Sequence, residues 1–225
     1  MVFRDRAEAG RMLAERLSVP DPDNTVVIAL PRGGLPVAAE IADRYGLPLD
    51  VALVRKVGVP HQPELALAAV SDGAEMTLVV NEDVAQTLRI GRPEVEALAR
   101  RELPELARRR KLYCGDRPAL SLRGKTVIVV DDGVATGATA RLALRIIRNS
   151  GAREIVLALP VAPPDSLEEL EREADRVVCL ETPRHFMSVG SYYRDFHQVR
   201  DDEAVRILDD ARHRRDAHPS PGEGK

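Results

Sequence analysis

Aromatic residues are scarce in this chain: its 225 residues include no tryptophan, three phenylalanines and four tyrosines. Four of those seven rings fall within 186–196, so scarcity turns their clustering into a signal. Cysteine is nearly absent. Cys114 and Cys179 lie far apart and lack metal-ligand spacing, and Cys179, in the apolar run Val177 to Leu180, is expected as a buried, reduced thiol. No run is long enough to span a membrane, and the charged start MVFRDRAEAG has no apolar signal-peptide core, so a soluble, cytoplasmic protein is expected. A net charge of −3 gives no sign of a nucleic-acid binder driven by bulk charge. Neither a GxGxxG after a strand nor a GxxxxGK[ST] loop is present, which takes support from dinucleotide-binding and P-loop NTPase functions. There is no internal repeat. With 44% hydrophobic and 31% charged residues, the length suffices for one sizeable α/β domain.

What is present centres on Lys125 to Thr139, KTVIVVDDGVATGAT. Val127 to Val130 form an unbroken apolar run, as in a strand buried on both faces. Asp131 and Asp132 follow, then a loop, Gly133 to Gly137, and a helical pattern. Ligands of open α/β sheets bind beyond the carboxyl ends of strands. Backbone N–H groups at a helix start favour an anion, and Thr136 and Thr139 can add hydroxyl donors. Two aspartates cannot bind that same anion. They must face something else, such as sugar hydroxyls or a divalent cation.

This string resembles the PRPP-binding motif of type I phosphoribosyltransferases: a hydrophobic strand, two acidic residues, and a loop ending Thr-Gly-x-Thr. The resemblance implies a parallel central sheet flanked by helices, Rossmann-like, with a helical inserted cap. It implies that Asp131 and Asp132 hold the ribose 2′ and 3′ hydroxyls of phosphoribosyl pyrophosphate (PRPP). Gly133, Val134, Ala135, Thr136, Gly137, Ala138 and Thr139 would cradle the 5′-phosphate. The strand Thr25 to Leu30 runs into Pro31-Arg32-Gly33-Gly34 and a helix from about Pro36 to Tyr45. Paired glycines let a ligand approach the backbone, and Arg32 adds a fixed positive charge. By the same resemblance, Arg32, Gly33 and Gly34 would bind pyrophosphate.

Elsewhere the pattern predicts an amphipathic helix over Asp5 to Leu17 and a second strand, Asp50 to Val54, ending in Arg55 and Lys56. These two cations either neutralise pyrophosphate or are a solvated strand end. The resemblance implies that Gly58 to Glu64 is a shortened closing loop, in which His61 either contacts the ligand or, the favoured alternative, is solvated. Leu65 to Val70 and Met76 to Val80 predict a hairpin. In the charged stretch after it, Pro104 predicts a kink or two helices. The basic run Arg108 to Lys111 reads as a solvated helix end. Ala138 to Asn149 predicts a helix with Leu142, Ala143, Ile146 and Ile147 inward, then come a strand at Glu154 to Leu159, a helix capped by Asp165 or Ser166, and a strand at Arg176 to Leu180. The alternation implies a parallel sheet with right-handed crossovers. Phe186, Tyr192, Tyr193 and Phe196 either stack on a base or, the favoured alternative, belong to a late strand packed on the core. A last helix is predicted over Asp201 to Arg212.

The expected organisation is one phosphoribosyltransferase-like domain over 1–214, with a helical insertion at about 81–118 and a flexible tail at 215–225. The resemblance implies transfer of ribose 5-phosphate from PRPP to a nitrogen acceptor such as a nucleobase, with Arg32, Lys56, Asp131 and Asp132 as the catalytic set. Mg²⁺ would be held mainly by PRPP oxygens and water, with no protein metal site, and a homodimer without nucleic-acid partners is expected. Ala135 stands where purine-specific members often carry an acid, which argues against a purine reaction assisted from that position. The competing classes are a PRPP- or nucleotide-sensing regulator on the same fold and a phosphosugar hydrolase.

Overall fold

The structure, a computed structural model, describes residues 2–60, 62–71 and 77–217. In chain order the elements are α1 (Arg6–Arg16), β1 (Thr25–Ala29), α2 (Gly34–Tyr45), β2 (Leu49–Val51), β3 (Val54–Val59), β4 (Gln62–Ser71), β5 (Thr77–Val80), α3 (Glu82–Thr87), α4 (Arg92–Cys114), β6 (Thr126–Val130), α5 (Ala138–Asn149), β7 (Glu154–Val161), α6 (Pro164–Glu171), β8 (Arg176–Glu181) and α7 (Asp201–Ala217).

Five strands form a wholly parallel sheet in the order β2-β1-β6-β7-β8. Every residue of β1 (TVVIA) and of β6 (TVIVV) is buried, because both faces of the sheet are covered. Alternation sorts the side chains. Val27, Ala29, Ile128 and Val130 point into one core with α1, α2 and α7. Val26, Ile28, Val127 and Val129 point into the other with α5 and the end of α6. The buried stripe of α5 is Ala140, Ala143, Leu144, Ile146 and Ile147. Leu144 thus takes the inward place expected of Leu142, which is half-buried.

Between β2 and β6 the chain leaves this sheet and builds a second one, antiparallel, in the order β3-β4-β5. Several expectations change here. The second strand ends at Val51, and Val54 starts β3 instead of closing β2. Arg55 and Lys56 therefore sit inside β3, opposite Val70 and Ala69, and not at the end of a core strand. The predicted closing loop is largely strand: Gly58 and Val59 belong to β3 and Gln62 starts β4, because cross-strand pairing continues through them with a bulge. His61 and Met76 lie outside the described residues.

α4 is one continuous helix of 23 residues despite Pro104. The proline forfeits one backbone hydrogen bond, but Val95 and Ala99 before it and Leu106 and Tyr113 after it are all buried in the same core. Segment 186–196 is not a strand. It holds a short 3₁₀ turn, Val189–Tyr192, and a single bridge from Tyr193 to Phe3. Its backbone bonds go to the start of the chain: Phe3 N–H donates to Tyr192 O at 2.8 Å and Arg194 N–H to Phe3 O at 2.8 Å. α7 runs to Ala217, beyond its predicted end.

Candidate active site

From β1 the chain turns to β2 on one side; from β6 it proceeds to β7 and β8 on the other. The sheet order reverses between β1 and β6, and a ligand crevice opens outside the carboxyl ends of strands at such a point. The two loops singled out by sequence, Leu30 to Gly34 and Asp131 to Gly137, both start there. They are tied together. Leu30 N–H donates to Val130 O at 2.8 Å and Gly34 N–H to Leu30 O at 3.1 Å. The Pro31–Arg32 peptide bond is cis. A β-carbon on Gly34 would stand 2.6 Å from Val130 O, and one on Gly33 would land on Oδ2 of Asp132. Glycine at both positions is what lets the first loop lie against the acidic pair.

Asp131 and Asp132 stand at the end of β6. Oδ1 of Asp131 accepts from the Asp132 N–H at 2.9 Å. Oδ2 of Asp132 accepts from Arg6 Nε at 2.8 Å, with Arg6 Nη2 also 2.8 Å away. The Tyr193 hydroxyl donates to the Asp132 carbonyl at 2.6 Å. Burial raises the Asp131 carboxyl well above the usual carboxylate range, and the charge of Asp132 raises it further. Burial also raises Asp132, against the opposing pull of Arg6. Burial, then the charge of Asp132, pushes the Tyr193 phenol up, so that it stays a donor.

The second loop is held from behind. Val134 N–H donates to Val161 O at 3.0 Å, and Ser166 Oγ donates to Ala135 O at 2.6 Å. Gly133 has φ +142°, and a β-carbon there would meet Val189 Cγ1 at 2.7 Å and Val161 Cγ1 at 2.8 Å. Val134 and Gly137 are buried, whereas Ala135, Thr136, Ala138 and Thr139 are exposed. The loop therefore leaves two hydroxyl-bearing residues and the first turn of α5 exposed, and hydroxyls and free backbone N–H groups are the donors an anion needs.

The phosphoribosyl transferase domain family model matches residues 6–197. The chain is a member of the type I phosphoribosyltransferase family. A Mycobacterium tuberculosis protein (strain H37Rv) named as a phosphoribosyl transferase, Rv0571c, is 46% identical over 210 residues, which are 93% of this chain and 47% of that relative. This chain thus spans about half the length of that relative. The crystal structure of TT1426 from Thermus thermophilus superposes with a TM-score of 0.79 at 44% identity, covering 92% of this chain and 98% of that one.

The basic residues of this phosphoribosyltransferase domain are placed less simply than the acidic ones. Arg32 Nη1 lies 3.2 Å from Asp201 Oδ1, at the start of α7, and the Tyr113 hydroxyl donates to the same oxygen at 2.7 Å. That hydrogen bond from Tyr113 holds Asp201 below the usual carboxylate range, with Arg32 contributing, while burial and Asp201 push the Tyr113 phenol up to about 12. Arg55 is engaged with Glu102 of α4, at 2.9 and 2.8 Å, and Lys56 is exposed on β3.

Arg6 and Asp201 escaped sequence reasoning as site residues, and Ser166 was expected only as a helix cap, whereas it lies inside α6, which starts at Pro164 after Pro163, and its hydroxyl turns to the Ala135 carbonyl instead. Arg6 is one of 33 Lys and Arg residues and lies in an ordinary amphipathic pattern; nothing local marks it. Tyr193 was visible as part of the aromatic cluster, though not as a partner of Asp132. Among the described residues no group of three His, Cys, Asp or Glu side chains could hold a metal ion. Nor is any of their helices long and apolar enough to cross a membrane.

Proposed function

We propose that this domain transfers ribose 5-phosphate from PRPP to a nitrogen acceptor of the nucleobase type and releases pyrophosphate. The observation that supports it best is the meeting of two anion-suited loops with a half-buried acidic pair at one switch point of the sheet. In this proposal the loop Gly133 to Thr139 binds the 5′-phosphate, Asp131 and Asp132 accept hydrogen bonds from the ribose hydroxyls, and Arg32, Gly33 and Gly34 meet the pyrophosphate. Arg55 and Lys56 stand at the second sheet as further cations for it. The bond from the anomeric carbon to the pyrophosphate oxygen breaks with its electrons going to oxygen. The bond to nitrogen forms, and the proton of the acceptor nitrogen passes to pyrophosphate or water. The transition state gains positive charge on the sugar and negative charge on the leaving oxygen. Fixed carboxylates suit the first charge and Arg32 the second. Mg²⁺ held by PRPP oxygens and water fits a site with two enclosed carboxylates, one already taken by Arg6. When bound, it would neutralise the pyrophosphate. The proposal includes a homodimer, which sedimentation would check.

Calorimetric titration with PRPP and Mg²⁺, followed by pyrophosphate release across a panel of nitrogen acceptors, tests the proposal. Binding with release that depends on one acceptor is the expected result. Binding without acceptor-dependent release across the panel would favour the sensing alternative. A folded Asp131→Asn, Asp132→Asn double variant with unchanged PRPP affinity would overturn the site assignment.

A further inference from the structure

α1 sends one side chain into the site. Arg6 is only 7% exposed, and all three of its guanidinium nitrogens are engaged. Nε and Nη2 converge on Oδ2 of Asp132, both at 2.8 Å, and Nη1 donates to the His197 carbonyl at 2.8 Å. The guanidinium lies over the Phe196 ring, 3.9 Å from its centroid, and Phe196 stacks on Tyr193 at 5.1 Å. Tyr193 in turn donates to the main-chain carbonyl of Asp132, and Phe3 packs on Tyr193 at 5.4 Å. The start of the chain and the segment before α7 therefore grip Asp132 by side chain and backbone together.

The grip falls on one oxygen. Oδ2 of Asp132 is also the atom that a β-carbon on Gly33 would strike, so it is wedged between the pyrophosphate loop and Arg6. A purely structural arginine could be satisfied by the carbonyl and the ring. Pairing with one member of an acidic pair turned toward a ligand crevice does something more. Two neighbouring enclosed carboxylates repel, and a neutral carboxyl can rotate and donate where it should accept. An arginine stays charged at any working pH and locks both orientation and ionisation. The charged or titratable groups facing Asp132 are Arg6 from α1, Asp131 from its own loop and Tyr193 from the segment before α7.

We propose that Arg6 is a positioning residue of the PRPP site: it fixes Oδ2 of Asp132 so that Oδ1 and the carboxylate of Asp131 are left for the ribose hydroxyls. This rests on the proposal above that the acidic pair faces ribose.

The test compares wild type, Arg6→Met and Arg6→Lys, each checked by thermal melting. The Asp132 side-chain carboxyl is followed by ¹³C NMR through a pH titration without ligand, and PRPP affinity is measured between pH 6 and 8.5. In Arg6→Met the Asp132 titration should move to higher pH. PRPP affinity should fall at least tenfold at pH 7 and recover in part at pH 8.5. Arg6→Lys should bring the titration back toward wild type yet bind PRPP at least threefold more weakly, because an ammonium cannot copy the fork. Arg6→Met with an unmoved Asp132 titration and wild-type affinity would overturn the inference. If Arg6→Met fails to fold, Arg6→Lys decides, and wild-type affinity there overturns it. If wild type binds no PRPP, the functional proposal falls, and the ligand-free carboxyl titration alone decides the role of Arg6.

Discussion

Arg32 and Asp201, 169 residues apart in sequence, form an ion pair at 3.2 Å between the loop after β1 and the start of α7. Asp201 thus occupies the cation proposed for pyrophosphate, and the Tyr113 hydroxyl shares that carboxylate. In that proposal an incoming pyrophosphate competes with it. Both partners are partly exposed, at 34% and 48% of the side chain, so the pair is screened and weak, about 0.5–1 kcal/mol. Asp201→Asn should therefore bind inorganic pyrophosphate about two- to fivefold more tightly by calorimetry. Spectroscopic titration should show the Tyr113 phenol ionising below its present value of about 12. Weaker pyrophosphate binding in this variant would mean that Arg32 does not meet the ligand.

Gly33→Ala places a β-carbon on Oδ2 of Asp132, an atom that Arg6 prevents from yielding. The expected cost is about 1–3 kcal/mol in denaturant unfolding, as is usual for overpacking. PRPP affinity should drop at least tenfold with it. Wild-type stability and affinity together would show that the two loops are not pressed against each other.

Asp131→Asn should make the protein more stable at alkaline pH. Burial raises the folded-state value of this carboxyl, so the proton is held more tightly folded than unfolded. The stability this contributes is fully present below the ordinary carboxylate value of about 3.9 and is lost as pH rises through the raised value. Melting temperatures of wild type and variant should converge near pH 4 and separate by pH 8, by about 2–4 °C for each kcal/mol relieved. Parallel melting curves across that range would contradict the burial of this carboxyl. The stability gained should accompany loss of PRPP binding, as expected where a site is built against stability.

Ser166→Ala removes the hydroxyl that donates to the Ala135 carbonyl at 2.6 Å. Stability should fall by about 1 kcal/mol. The more telling result is a three- to tenfold weaker affinity for PRPP, since the loop that presents Thr136 and Thr139 loses its brace from α6. An effect on stability alone would leave Ser166 as a simple helix contact.

Much of this was legible along the chain. β6, the acidic pair and the loop into α5 read directly from KTVIVVDDGVATGAT, since an unbroken apolar run, paired charges and a glycine-containing turn are local patterns of backbone and solvation. The glycine pair after β1 was equally plain. Sequence by itself also placed the alternation of strands and helices that becomes the parallel sheet.

Only the tertiary structure decided which residues surround the acidic pair. Arg6 reaches Asp132, Asp201 takes Arg32, and Tyr193 and Phe196 pack on Phe3 and Arg6 respectively instead of forming a strand. These are contacts between residues 126 or more positions apart. Local periodicity carries no information about such pairs. Pro104 within α4 and the cross-strand pairing that absorbs the expected loop at Gly58 show the same thing from another side. A local preference of about one to three kcal/mol yields when burial on both flanks favours another conformation.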